Sequence, residues 1–334
     1  MTRRTLLARA ALLAVLLLTF GLAACGGDAP APGEKVAVVI PPGSTAAQIA
    51  QALQEAGVIT SAGDFVDRIV ADGQGEGFKP GTYALRTNEA YDRIVFQLNH
   101  GPSAADSARL TIPEGFAIWD IKAAVRKVGI TPAGYQQALD AHEPPAGFLA
   151  DGEQAASLEG FLFPATYDVA VPADADALVT DQLGAFSDNW AGLDLADASA
   201  RNLTSYDVLK IASIVEREAR APEDRAKVAA VIYNRLRQGM SLGMDSTTQY
   251  GVGSWKQLTG TDLASDSPYN TRKVKGLPPT PICNPGVASM QAAAHPAKAD
   301  FLYMYAIKGD AKGRHYFTSS YQDFLKYVKE HPYS

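Results

Sequence analysis

Cysteine is almost missing from this sequence: Cys25 and Cys283 are the only two among 334 residues, so no disulfide framework supports the chain. Its five histidines, His100, His142, His295, His315 and His331, are scattered, with no HExxH and no Cys/His cluster at ligand spacing. No zinc site is therefore expected, and no other metal or cofactor is assigned. A long basic run is also lacking and the formal net charge is −6, which speaks against nucleic acid as a partner and fits a substrate that is not strongly acidic. The apolar run over residues 10–24 is about 15 residues long, shorter than the roughly 20 that a spanning helix needs. What the chain does have is apolar character, 47% of its residues. That is enough for a substantial core, and the length favours two or three domains.

The N-terminal run follows Arg3 and Arg4 and closes on Leu22-Ala23-Ala24-Cys25-Gly26-Gly27, which resembles a bacterial lipobox. In that reading a signal peptidase cuts before Cys25, and the cysteine carries the acyl chains that hold the protein at a membrane. The alternative is an uncleaved anchor that includes Leu6 and Leu7 and tolerates Arg9. Both place residues 26–334 outside the cytoplasm, with residues 26–35 as a flexible tether.

The first half contains an internal repeat. Ile40-Pro41-Pro42-Gly43 and Ile112-Pro113-Glu114-Gly115 recur at an offset of 72 residues, which also pairs Ile49 with Ile121 and Gly57 with Gly129. Each copy reads as a strand (36–40; 110–112), a Pro/Gly turn, an amphipathic helix and a helix-stopping glycine. A third strand is expected over 82–85. The composition changes after Pro144-Pro145-Ala146-Gly147, so the expected organisation is a repeat region over 36–145 and a second domain over 146–334, α+β in class. The second domain is expected to fold without the first half. In it, a helix over 206–220 carries the stripe Val208, Ile211, Ala212, Val215 and Ala219, with Thr204 or Ser205 as cap. A second helix over 223–237 ends at Gly239. Between residues 240 and 290 periodicity disappears, and a loop that long in a compact domain is usually functional. Residues 301–307 and 314–318 read as a hairpin, followed by a last helix capped by Ser319 or Ser320.

The chemistry is sought on the first of those helices. A step of 100° per residue places Glu216 and Glu218 on opposite margins of the apolar stripe, with Arg217 pointing away from the core. A carboxylate at such a margin loses part of its hydration, which favours the protonated form that a general acid needs. The competing explanation is a solvated Glu216–Arg220 pair at i, i+4. Spacing alone does not choose between Glu216 and Glu218.

The segments Ile211-Ala212-Ser213-Ile214-Val215-Glu216-Arg217-Glu218, Val231-Ile232-Tyr233-Asn234-Arg235-Leu236, Asp266-Ser267-Pro268-Tyr269-Asn270-Thr271 and Gly276-Leu277-Pro278-Pro279 closely resemble, in order and spacing, the endolytic murein transglycosylases of the MltG (YceG-like) family. Leu158-Glu159-Gly160-Phe161-Leu162-Phe163-Pro164, His295-Pro296-Ala297-Lys298 and His315-Tyr316-Phe317 extend the match from about residue 36 to the C-terminus. The resemblance implies a LysM-like αβ module in the first half and a mixed α+β catalytic domain in the second, with Glu216 as the catalytic residue. The implied reaction cuts the β-1,4 bond between N-acetylmuramic acid and N-acetylglucosamine within a peptidoglycan strand. It leaves a 1,6-anhydro end and terminates nascent strands, in partnership with peptidoglycan synthases at the inner membrane.

Of the other motif residues, Asn234, Asn270 and Thr271 are candidates to hydrogen-bond acetamido or hydroxyl groups, and Tyr250 and Tyr269 to offer ring faces to sugars. Asp245 is the other carboxylate of interest in the long loop, although a turn-forming role is the simpler expectation. His295 and His315 are expected to be structural, and Cys283 a free thiol. Ser246 stands where the resemblance leads one to expect proline. Two rival functions remain open: a non-catalytic glycan-binding lipoprotein, and a two-carboxylate muramidase in which Asp245 partners Glu216.

Overall fold

A continuous apolar run makes β1 (Lys35–Ile40), which pairs antiparallel with β2 (Gly81–Arg86), Val38 opposite Tyr83. In the computed structural model residues 33–75, 77–102 and 107–332 are described; the expected anchor and Cys25 lie outside them. No helix among the described residues is long and apolar enough to cross a membrane. Between β1 and β2 run α1 (Ala46–Glu55), opened by a capping box of Thr45 and Gln48, and α2 (Ala62–Ala71), capped by Ser61. With α3 (Tyr91–His100) they close a core of Val38, Ile40, Ile49, Leu53, Phe65, Ile69, Tyr83, Leu85, Ile94 and Leu98. This first unit is complete by residue 100.

The second copy repeats the order. β3 (Ser107–Thr111) leads into α4 (Ile118–Ala124), a 3₁₀ turn over Val125–Val128 and α5 (Pro132–Ala141). The repeat is exact at its turns: Gly43 and Gly115 have φ of 77° and 78°, a conformation that favours glycine. The strand that completes the copy is β4 (Thr166–Ala170), antiparallel to β3 with Leu110 opposite Tyr167. The core of this unit joins Leu110, Ile112, Ile121, Val125, Tyr135 and Leu139 to Leu158, Leu162, Tyr167, Val169 and Leu178, the last on α6 (Ala175–Trp190). The expected boundary at residues 145 and 146 is therefore corrected. It would split a sheet and a core, because the composition change marks a loop inside the second unit.

After the one-turn α7 (Ala196–Ser199), α8 (Ser205–Glu218) starts at a capping box of Thr204 and Asp207. It buries Tyr206, Val208 and Leu209 and every residue from Ile211 to Val215, a wider face than the expected stripe, because it packs between α9 (Arg225–Arg237), α12 (Val287–Ala294) and the segment before α12. Pro222–Asp224 form a 3₁₀ turn, so α9 begins at Arg225. The region expected to lack structure holds α10 (Asp245–Gly251), α11 (Gly260–Leu263) and α12. Helices of one or two turns are too short to set up a period, and half of α12 is alanine. β5 (Tyr303–Ala306) and β6 (His315–Thr318) form the expected hairpin, and Ser320 caps α13 (Tyr321–Glu330).

The second unit joins the helical core through buried polar groups. Glu159 is fully buried and accepts hydrogen bonds from Ile118 N (3.0 Å), Tyr250 Oη (3.1 Å) and Asn284 Nδ2 (3.0 Å). Asn284 Oδ1 accepts from the N–H groups of Gly160 and Leu162, which fixes the orientation of its amide. Burial pushes the Glu159 carboxyl up to about 8 despite these donors, and the charge of Asp120 adds to the rise.

Two outcomes are expected. A fragment starting at residue 146 lacks β3, α4 and α5 and exposes Leu158, Leu162, Tyr167, Val169 and Leu178, each worth roughly 1.5–3 kcal/mol when buried. It should melt well below a fragment starting at residue 107, or aggregate; equal circular-dichroism melting temperatures would contradict the shared core. The second outcome concerns pH. Because the Glu159 carboxyl titrates higher folded than unfolded, the native state holds the extra proton and stability falls as pH rises from about 4.5 toward 8, by at most about 1.4 kcal/mol per pH unit. Glu159→Gln should cost about 1–3 kcal/mol at pH 5, since its NH₂ must face a donor, and the gap from wild type should narrow by pH 8. Denaturation curves that stay parallel across this window would refute it.

Candidate active site

The last turn of α8 carries Glu216, Arg217 and Glu218, and the structure separates the two glutamates that spacing left equivalent. Glu218 is tied to the start of α10: its Oε1 accepts from Ser246 Oγ (2.6 Å) and Ser246 N (3.3 Å). Burial pushes its carboxyl up, and these two hydrogen bonds act against that rise. Ser246 thus supplies two donors where a proline would supply none, which gives the departure from the expected motif a structural role.

Glu216 is half-buried, and among the described residues its carboxylate has a single protein donor, Gly286 N, 3.1 Å from Oε2. It makes no ion pair with Arg220 among those residues. Arg217, expected to point away from the core, is half-buried against the second unit and the Trp255 ring. Its Nη1 donates to Gly115 O (3.2 Å) and its guanidinium stacks 3.7 Å from the centroid of the Trp255 ring.

From Trp255 a row of half-buried rings extends past Trp119 (5.1 Å between centroids) to Tyr250 (4.9 Å) and Tyr269 (4.9 Å). Trp255 Nε1 donates to Asp120 Oδ2 (2.9 Å), Tyr250 to the buried Glu159, and the Tyr269 hydroxyl shares a hydrogen bond with Thr280 (2.9 Å). The polar edges are held by protein while parts of the faces remain accessible, an arrangement suited to sugar rings. Tyr250 and Tyr269 are therefore brought together.

Three other candidates are not in this row, and their polar groups are engaged by the protein itself. Asn270 is fully buried: its Nδ2 donates to Leu263 O and Ser265 O, and its Oδ1 accepts from Thr248 Oγ1 and Arg272 N. Thr271 is buried with its hydroxyl on Met244 N and Thr247 Oγ1. Asn234 Nδ2 donates to Ala299 O and Phe301 O, fastening α9 to the chain before β5. Asn270 and Thr271 are shielded from solvent and shape the loops, whereas Asn234 is half-buried at its tie to the chain before β5. Asp245 is exposed and pairs with Arg272 (2.5 Å). His315 lies on the buried Asp224, and His295 is 4.0 Å from Asp197. Cys283 is buried against Ser213 O, and burial pushes its thiol well above the usual range.

Sequence reasoning missed Glu114, Trp119 and Trp255. Glu114 lies against Gly286: a Cβ built on that glycine would fall 1.8 Å from Glu114 Oε1. Burial and then the charge of Glu216 push the Glu114 carboxyl up, with Arg225 opposing. The repeat carried the signal, since Glu114 and Trp119 stand where the first copy has Pro42 and Ala47. The second copy departs from the first at the residues that reach α8 and α10.

Among the described residues no three His, Cys, Asp or Glu side chains gather as a metal site. The corner offers proton transfer: an accessible carboxyl, a second carboxyl and an aromatic row.

Comparison with known proteins agrees with this layout. The sequence profile of the YceG-like family matches residues 38–330. An endolytic murein transglycosylase of Bacillus subtilis (strain 168) is 31% identical over 307 residues, 87% of this chain and 83% of that protein. One of Streptococcus pneumoniae (strain ATCC BAA-255 / R6) is 29% identical over 331 residues, and there this chain spans 58% of the relative's length. The crystal structure of a putative yceG-like protein from Listeria monocytogenes superposes with a TM-score of 0.58 at 32% identity, covering 88% of this chain and 99% of that one. With two αβ units, a buried α8 and a terminal hairpin in the order that this profile spans, the chain belongs to the YceG-like family.

Proposed function

We propose that this protein is a lytic transglycosylase of peptidoglycan, cutting the β-1,4 bond between N-acetylmuramic acid and N-acetylglucosamine inside glycan strands, with Glu216 as acid and then base. The observation that carries the reading is the asymmetry of α8's last turn. Glu218 is fastened to Ser246, whereas Glu216 has one backbone donor and stands beside Arg217 and the aromatic row. The relatives named endolytic murein transglycosylase support the same reaction class.

In the proposed reaction Glu216 gives its proton to the glycosidic oxygen as the bond from C1 to that oxygen breaks. The resulting carboxylate, held by Gly286 N–H, takes the proton of the muramoyl C6 hydroxyl as O6 bonds to C1. The carboxyl is restored, no water is consumed, and a 1,6-anhydro end remains. Tyr250, Tyr269, Trp119 and Trp255 would stack on sugar rings.

The first unit is read as a LysM-like glycan-binding module. A groove of about 440 Å³ lined by Pro41, Pro42, Ser44, Gln48 and Gln51 supports it. The lipobox supports anchoring at Cys25 with the described residues facing the envelope, where a partner synthase would deliver nascent strands to be ended. The two-carboxylate alternative also gains an observation, because Glu114, not Asp245, adjoins the corner that holds Glu216.

Glu216→Gln keeps the shape and removes the dissociable proton. Release of anhydro-muropeptides from purified sacculi should fall by about 10²–10⁴ or more at unchanged melting temperature, while Glu218→Gln costs far less in rate. Wild-type activity in Glu216→Gln, or the larger loss in Glu218→Gln at equal stability, would overturn the assignment.

A further inference from the structure

A general acid must hold a proton at neutral pH, yet Glu216 is only half-buried, accepts an N–H and adjoins an arginine. The N–H and the arginine favour negative charge at this corner, and the partial burial opposes it.

The turn of the second repeat brings a second carboxyl to this corner. Gly286 N–H binds Glu216 Oε2 at 3.1 Å, and the Cβ position of the same glycine is 1.8 Å from Glu114 Oε1. By the bond lengths of one glycine the two oxygens are no more than about 7.5 Å apart. Gly115, the residue after Glu114, has its own Cβ position 3.6 Å from Glu216 Cγ, and Gly115 O accepts from Arg217. Glu114 is therefore built onto the same corner while itself exposed to solvent.

We propose that Glu114 is a positioning residue of the reaction centre, whose carboxyl, brought beside Glu216 by Gly286 and Gly115, favours the proton-bearing form of Glu216 through its like charge. This rests on the transglycosylase reading above. Two adjacent carboxyls resist a second ionisation, and their titration belongs to the pair. The upward push on Glu114 from burial and from Glu216 agrees with this. The charged and titratable groups around the pair are Arg217 on α8, Arg225 at the start of α9, Cys283 before α12 and Asp120 on α4, whose Oδ2 is held by Ala117 N and Trp255. The proton count balances: Glu216 loses one proton to the leaving oxygen and regains one from the C6 hydroxyl, so it ends the cycle in its starting form.

The test is the pH–rate profile of the full chain on purified sacculi for wild type, Glu114→Gln and Glu114→Asp, with melting temperatures measured alongside. Glu114→Gln removes the like charge, so the alkaline limb should move about one pH unit or more toward acid, and the neutral-pH rate should fall about tenfold or more. Glu114→Asp keeps the charge and should restore the limb at least in part. A wild-type limb in Glu114→Gln overturns the proposal, as does an equal loss in both variants with the limb unmoved, since that marks a purely structural role. Failure of the transglycosylase reading is distinguishable, because it appears as activity surviving in Glu216→Gln or as hydrated ends from the wild type. In the latter case the limb still decides whether Glu114 acts on the proton of Glu216.

Discussion

Asn284 is the joint on which this architecture depends. Its Oδ1 holds Gly160 and Leu162, its Nδ2 holds Phe116 O and Glu159, its backbone N–H also donates to Phe116 O, and its carbonyl accepts from Gly115. One buried asparagine thus fastens the second repeat's turn, the 158–162 segment and the chain leading to Gly286. Apart from the part-buried Phe116 O these groups are away from water, so bonds left unmade would leave buried polar atoms at considerable cost. Satisfying them together fixes where Glu114, Gly115 and Gly286 stand relative to Glu216.

The two αβ copies show how one unit takes two roles. The first closes its own core and touches the remainder lightly, for example through Thr82 Oγ1 on Asp181 (3.3 Å). The second shares its strands and core with residues well beyond its own repeat. Its turn carries Glu114 in place of Pro42, and its helix carries Trp119 in place of Ala47. Ile121, at the same repeat position as Ile49, stays in the core, and Gly115 matches Gly43 in backbone angle. The residues that meet α8 and α10 are among those at which the copies diverge.

Much of the fold was legible because local physics decided it. Short apolar runs bounded by turn residues and helical patterns marked β1, β2, α8 and the hairpin, and Thr204 and Ser320 capped the helices they precede. The chain between residues 240 and 290 was not legible, since α10 and α11 are too short to show a period and are held by tertiary bonds such as Ser246 to Glu218. The site was legible in part. Motif resemblance singled out Glu216, but polar residue type alone could not tell that Asn270 and Thr271 are buried in loop-shaping hydrogen bonds. Nor could it tell that Glu114, 102 residues before Glu216 in the sequence, arrives from the other side of the corner. Long-range polar contacts leave no periodic trace.

The central claim is that a single proton-transferring carboxyl drives an intramolecular attack without water. Digesting purified sacculi in water enriched with heavy oxygen tests it most directly. The account predicts anhydro ends that carry no label and lack one water by mass. Labelled, hydrated reducing ends as the main product would contradict it and make Glu114 and Glu216 the pair of a hydrolase.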